Sequence, residues 1–236
     1  MGQVRSSHAR LTEQQLWSRS AVHSEDASIA RLRTVQIREL KIPHAWEFTP
    51  QQHADDRGVF FEFYRYEQLE NAVGHPLTLR QGNTSVSSRG VVRGIHYALV
   101  PPGQAKYVTA SRGAFIDYII DLRVGSPAFG TWDSVVIDDV DRRAVYLAEG
   151  LGHAIVSLTD HATVSYLVSE VFNPTRELGI DVLDPDIGLV FPSEIGEPIL
   201  SPKDTAAPTL AEALAAGLLP TWQDSLSLYE SLDSRV

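Results

Sequence analysis

"RGVVRGIHYALVPPGQAKYV", residues 89–108, places Arg93, His96 and Lys106 within fourteen residues of what otherwise reads as strand. Charged and titratable side chains seldom interrupt a β pattern this often. Two explanations are open. An exposed sheet edge would carry them for solubility, whereas a barrel interior would carry them for chemistry. On a strict two-residue period Arg93 and His96 fall on opposite faces. Gly94 between them marks a candidate bulge, which would turn both toward one pocket. Beyond the turn "LVPPGQ", hairpin pairing predicts Lys106 beside His96 on the neighbouring strand.

The same pattern extends in both directions. "VFFEFYR", "AKYVTAS", "AFIDYIID", "WDSVVID", "RRAVYLA", "HAIVSL" and "ATVSYLVSE" are short runs rich in Val, Ile, Tyr and Phe. Gly, Pro and Asp separate them, as in "RVGSPAFG" and "DDVD". Many short strands at near-regular spacing predict an antiparallel all-β sandwich or barrel. In "ATVSYLVS" Ala162, Val164, Tyr166 and Val168 share one face, and Thr163, Ser165 and Ser169 the other, so Tyr166 is predicted to point inward. One helix is legible: in "APTLAEALAAGLLP" Thr209 and Glu212 form a capping box, Pro208 precedes it, and Gly217 and Pro220 stop it.

The chain has 236 residues, 43% hydrophobic and 21% charged, which suits one globular domain. The reading divides it into a polar N-terminal extension (1–34), a barrel domain with a short C-terminal helical annex (35–222) and a C-terminal tail (223–236). The sequence holds no cysteine, which rules out disulfides, thiolate metal sites and cysteine nucleophiles. The first twenty residues lack a signal-peptide core and no apolar run reaches membrane-span length, so the expected location is cytoplasmic, without a membrane partner. A net charge of −10 argues against nucleic acid as a partner. It also means that an anionic ligand needs a local cluster of cations.

Metal-binding barrels of this kind present two histidines at i and i+2, but here the run is His96-Tyr97-Ala98. His153 and His161 bracket a turn, a poor ligand geometry. No metal and no other cofactor is expected.

"DDRGVFFEFY", "RQGNTS", "RGIHYALVPPGQAKYV", "DLRVGSPAFGTW", "EGLGHA", "YLVSEVFNPTRELGI" and "LSPKDTAAP" follow the order and spacing of the dTDP-4-dehydrorhamnose 3,5-epimerases. The chain resembles this family over about residues 35–220, and "RGIHYALVPPGQAKYV" with "PTLAEALAAGLLP" is most similar to its branch that makes deoxysugars for secondary metabolites. The resemblance implies a cupin-type jelly roll and a homodimer whose N-terminal strands, here "RTVQIRELKI", reach across to the partner. It implies inversion of C3 and C5, or of C3 only, in dTDP-4-keto-6-deoxyglucose or a related nucleotide sugar. It assigns His96 as general base, Asp204 as the carboxylate orienting it, and Tyr166 as proton donor. Lys106 is the cation beside the base and the candidate stabiliser of an enolate. Substrate contacts are implied for Arg57, Glu62, Gln81, Asn83, Arg93, His153, Glu177 and Lys203. Phe172 stands at the position that stacks on the thymine ring, a role requiring only its flat face.

These residue types suit that chemistry. A C4 ketone acidifies the protons on C3 and C5. A histidine near neutrality is a suitable base, and a carboxylate behind it fixes the tautomer. Arginine forks suit a diphosphate. Two other readings share the pocket: a jelly-roll ketoisomerase moving the carbonyl from C4 to C3, and a sugar-nucleotide-binding barrel without activity.

Overall fold

The computed structural model describes residues 35–233, so the expected N-terminal extension lies outside the described residues. The chain runs through β1 (Gln36–Glu39), β2 (Ala45–Thr49), β3 (Gln52–Asp55), β4 (Gly58–Phe61) and helix α1 (Tyr66–Val73). Next come β5 (Gln81–Ser87), β6 (Val92–Ala98), β7 (Lys106–Arg112), β8 (Ala114–Asp121) and β9 (Trp132–Asp138). The remaining strands are β10 (Ala144–Leu147), β11 (Leu151–Ser157), β12 (Ala162–Val168) and β13 (Glu177–Gly179). Three helices close the chain: α2 (Pro202–Thr205), α3 (Leu210–Ala215) and α4 (Trp222–Asp233).

Two antiparallel sheets face one another, as in a jelly roll. The first has the order β1-β2-β10-β7-β12-β5 and the second β13-β6-β11-β8-β9, while β3 and β4 form a separate hairpin. The strand alternation read from the sequence positions the core. Val108 and Ala110 of β7, Val145 and Leu147 of β10, and Val164 of β12 meet Phe115 and Ile119 of β8 between the sheets. Each such side chain contributes roughly 1.5–3 kcal/mol when fully buried. Tyr166 packs against this inner cluster, as its place in the alternation predicts. The opposite face of the first sheet, including Tyr107 and Tyr146, is covered by Leu69 of α1 and Tyr229 of α4.

The hairpin expected from "LVPPGQ" does not form. β6 has β13 and β11 as neighbours, and β7 has β10 and β12, so the two strands belong to different sheets. Pro101 and Pro102 have no N–H with which to extend a ladder, and the connection instead carries the chain from one sheet to the other. Lys106 therefore approaches from the wall opposite His96.

The capping box at Thr209 and Glu212 forms as read. Two helices differ from the reading. The run "VFFEFYR" leaves β structure after Phe61 and leads into α1, which carries Leu69 into the outer core. Residues 223–233, read as tail, belong to α4, because Tyr229 donates a hydrogen bond to the Glu149 carbonyl at 2.5 Å and Arg123 stacks on Trp222 at 4.6 Å. Arg123 is fully buried and pairs with Asp121 through two bonds of 2.8 and 2.7 Å. Its remaining donors reach the Pro43 carbonyl and His44 Nδ1, both at 3.0 Å, tying α4 to the start of β2.

Candidate active site

The expected irregularity at Gly94 is present. His96 pairs with His153 and Arg93 with Ile155, so β6 advances three residues where β11 advances two. Gly94 has φ +137°, and a Cβ on it would lie 2.5 Å from Ala154 Cβ, so glycine alone fits. The extra residue cancels the face reversal between Arg93 and His96. Both side chains line one cleft of about 290 Å³, together with Lys203 and Asp204.

Asp204 reaches that cleft from α2. Ser201 caps the helix, accepting from the Asp204 N–H at 3.1 Å and donating its hydroxyl to Oδ2 at 2.9 Å. The other carboxylate oxygen, Oδ1, lies 2.7 Å from His96 Nε2. Burial alone would raise the Asp204 pKa. The hydrogen bonds from His96 and Ser201 outweigh burial and hold the carboxyl below its ordinary value. An ionised Asp204 fixes the proton on Nε2, leaving the lone pair on Nδ1.

Lys106 and Tyr166 stand on the facing sheet, on β7 and β12. Lys106 is buried and donates to Gln104 Oε1 at 2.6 Å. Burial lowers its pKa to about 8, against the pull of Glu177, Glu149 and Asp117. Tyr166 on β12 is held above its ordinary pKa by burial and by the charge of Glu177, while Arg93 and a hydrogen bond to Asn83 oppose the rise. These interactions place the phenol among groups from β5, β6 and β13.

Nucleotide-side candidates form a second group. Gln81 accepts from the Phe172 N–H at 3.1 Å and donates to Asn83 at 2.7 Å. Phe172 is 58% exposed, with its ring free to receive a flat partner. It lines a cavity of about 210 Å³ with Gln104 and Glu177. Glu177 accepts from Gln104 at 3.3 Å and from the Asn173 N–H at 3.0 Å.

Two expected contacts lie elsewhere. Arg57 sits on the β3–β4 hairpin, its side chain 90% exposed and paired with Asp55. Glu62 follows that hairpin and pairs with Arg65 at 3.3 Å. Neither lines the cleft with His96.

Asp117 was not among the sequence candidates. It is fully buried on β8, with Oδ1 2.7 Å from His153 Nε2 in an off-axis contact short of a regular hydrogen bond. Burial pushes its carboxyl up, and His153 and Lys106 pull it back. The signal was available. In "AFIDYIID" Asp117 shares its parity with Phe115 and Ile119, which puts a charge on the apolar face. Among the described residues no cluster of three or more His, Asp or Glu side chains converges as a metal-holding set.

Residues 39–212 match the sequence profile of dTDP-4-dehydrorhamnose 3,5-epimerase. The chain belongs to this family. Its members are isomerases. A dTDP-4-dehydrorhamnose 3-epimerase of Streptomyces niveus is 53% identical over 188 residues, covering 80% of this chain and 90% of that protein. A dTDP-4-dehydrorhamnose 3,5-epimerase of Mycolicibacterium smegmatis is 52% identical over 195 residues, covering 83% and 96%. Among solved structures, a 3'-monoepimerase from Streptomyces bikiniensis in complex with dTDP-quinovose superposes with a TM-score of 0.80 at 47% identity, covering 82% of this chain and 98% of that one. The jelly-roll expectation thus agrees with the sheets and with the family.

Proposed function

We propose that this epimerase-family chain inverts C3, or C3 and C5, of a dTDP-4-keto-6-deoxyhexose in deoxysugar biosynthesis. The observation that carries the reading is the His96–Asp204 pair at 2.7 Å, on the sheet that faces the one carrying Lys106 and Tyr166. His96 Nδ1 takes the proton from the carbon beside the ketone, and the C–H electrons move onto the C4 oxygen. The Lys106 ammonium stabilises that enolate oxygen; one such donor is typically worth about 2.7–4 kcal/mol. Tyr166 returns a proton to the opposite face of the same carbon. Exchange with water resets both groups.

Arg93 and Lys203 border the same cleft and suit the diphosphate, and Phe172 suits the thymine face. The exposed hairpin carrying Arg57, together with Glu62, completes the site of a second copy in this reading, which requires a homodimer. Sizing chromatography coupled to light scattering tests that requirement, and a monomer at working concentration would refute it. A nucleotide-activated substrate made inside the cell implies a cytoplasmic place of action.

Incubation with dTDP-4-keto-6-deoxyglucose in deuterated water tests the reaction. Deuterium at C3 and C5 identifies double inversion, and label at C3 alone identifies a 3-epimerase. No label at either carbon would refute the proposal. The ketoisomerase alternative predicts a 3-keto product, and the relatives, being epimerases, favour inversion over it.

A further inference from the structure

Glu149 lies in the turn between β10 and β11, is 4% exposed, and has no part in the chemistry described above. Its Oε1 accepts from Ser169 Oγ at 3.0 Å, and the same Oγ accepts from the Ala105 N–H at 2.8 Å. Ser169 N–H in turn donates to the Ala105 carbonyl at 3.1 Å. Ala105 immediately precedes Lys106, whose register partners are Leu147 and Val168. Packing is tight here, since a Cβ on Gly103 would lie 2.4 Å from Glu149 Cβ. Glu149 Oε2 and the Tyr146 hydroxyl are buried without a hydrogen-bond partner, and both residues line a cavity of about 210 Å³ with His75.

A glutamine of the same shape would keep the bond to Ser169 without placing a charge in the interior, where an unpaired carboxylate is costly. A glutamate therefore calls for a use of its charge, and Lys106 is a buried cation on the segment that Glu149 secures. We propose that Glu149 is a positioning residue for Lys106: through Ser169 it pins the backbone next to the lysine, and its buried carboxylate balances the charge of the ammonium. Glu177 from β13 and Asp117 from β8 face the same ammonium, and His153 of β11 shares Asp117. Burial pushes the Glu149 carboxyl up, while hydrogen bonds from the surrounding backbone and Ser169, together with His75, pull it back; Tyr146 and Tyr229 also face it. The proposal rests on the catalytic role of Lys106 given above, but its first test does not.

The chain has three lysines, Lys41, Lys106 and Lys203, so carbon-13 labelling gives a spectrum that Lys106→Met assigns. In the full-length protein Glu149→Gln is expected to lower the Lys106 titration midpoint by about half a pH unit or more. The alkaline limb of kcat shifts with it, and KM for the nucleotide sugar stays near its original value. Ser169→Ala breaks the link to the Ala105 backbone, so it lowers kcat. An unchanged Lys106 midpoint in folded Glu149→Gln would overturn the proposal, even if activity fell. Should that variant not fold, the carboxyl carbon of Glu149 in the unaltered protein decides: ionised at pH 7 sustains the proposal, neutral overturns it. A shifted midpoint in an enzyme that labels neither C3 nor C5 would instead refute the catalytic reading and leave this coupling standing.

Discussion

His96 Nε2 and Asp204 Oδ1, 108 residues apart in sequence, meet at 2.7 Å where strand β6 is crossed by the first turn of α2. Ser201 locks the carboxylate from behind, so its orientation is set before any substrate arrives. The pair ties a barrel wall to the helical annex.

Replacing His96 with Asn removes the proposed base and keeps a side chain of similar reach. Turnover should fall by about 10²–10⁴-fold, the usual contribution of general base catalysis. Calorimetric titration with dTDP should give nearly unchanged affinity. Activity within about threefold of the original protein would refute the assignment.

Tyr166→Phe keeps the ring packed on the core and removes the proposed acid. Deuterium should still enter at C3, because His96 continues to ionise that carbon, but the label should appear mostly with retained configuration. NMR of the product separates exchange from inversion. Full inversion by the variant would mean that another group delivers the proton.

The Lys106 pKa of about 8 sets the direction of a pH effect. The ammonium is present below that value and is lost above it, so kcat should decline as pH rises through about 8. Stability responds oppositely. Because the lysine is 10.5 when exposed and lower when folded, the unfolded chain binds the extra proton, and this residue's contribution to stability grows between those values. A kcat profile beside urea unfolding at the same pH values checks both signs.

Gly94→Ala would put a methyl group against Ala154 and demand a left-handed backbone of alanine. A loss of about 1–3 kcal/mol is expected, with a further drop in kcat as His96 moves off line. Denaturant titration and initial rates measure the two effects separately.

Arg123→Met tests the α4 attachment. It leaves the Asp121 carboxylate buried and unpaired, a situation that typically costs about 3–5 kcal/mol. Chemical denaturation should show a loss of that size, while His96 and Asp204, which it does not touch, retain their activity per folded molecule.

Periodicity made much of this molecule legible. "ATVSYLVS" gave the inward face of β12, and the glycine in "RGIH" gave the bulge that unites Arg93 with His96. Local capping chemistry gave α3. What could not be read was partnership between distant segments. The sequence after His96 suggests a hairpin, yet whether β7 pairs with β6 depends on which strands already occupy the edges of β6. α4 went unread because its anchor is Arg123, about a hundred residues away. Asp204 has no local mark as a site residue, and only the family pattern singled it out.

The proline-rich passage between the sheets has an evolutionary corollary. The segment 99–105 joins the strand ending two residues past His96 to the strand beginning at Lys106. One short piece of chain thus joins the strand that carries His96 to the strand that opens at Lys106, and its length acts as a ruler between the two sheets. Insertions can accumulate at the distal turns of the barrel without altering that gauge, whereas a single added or deleted residue here would slide one wall against the other.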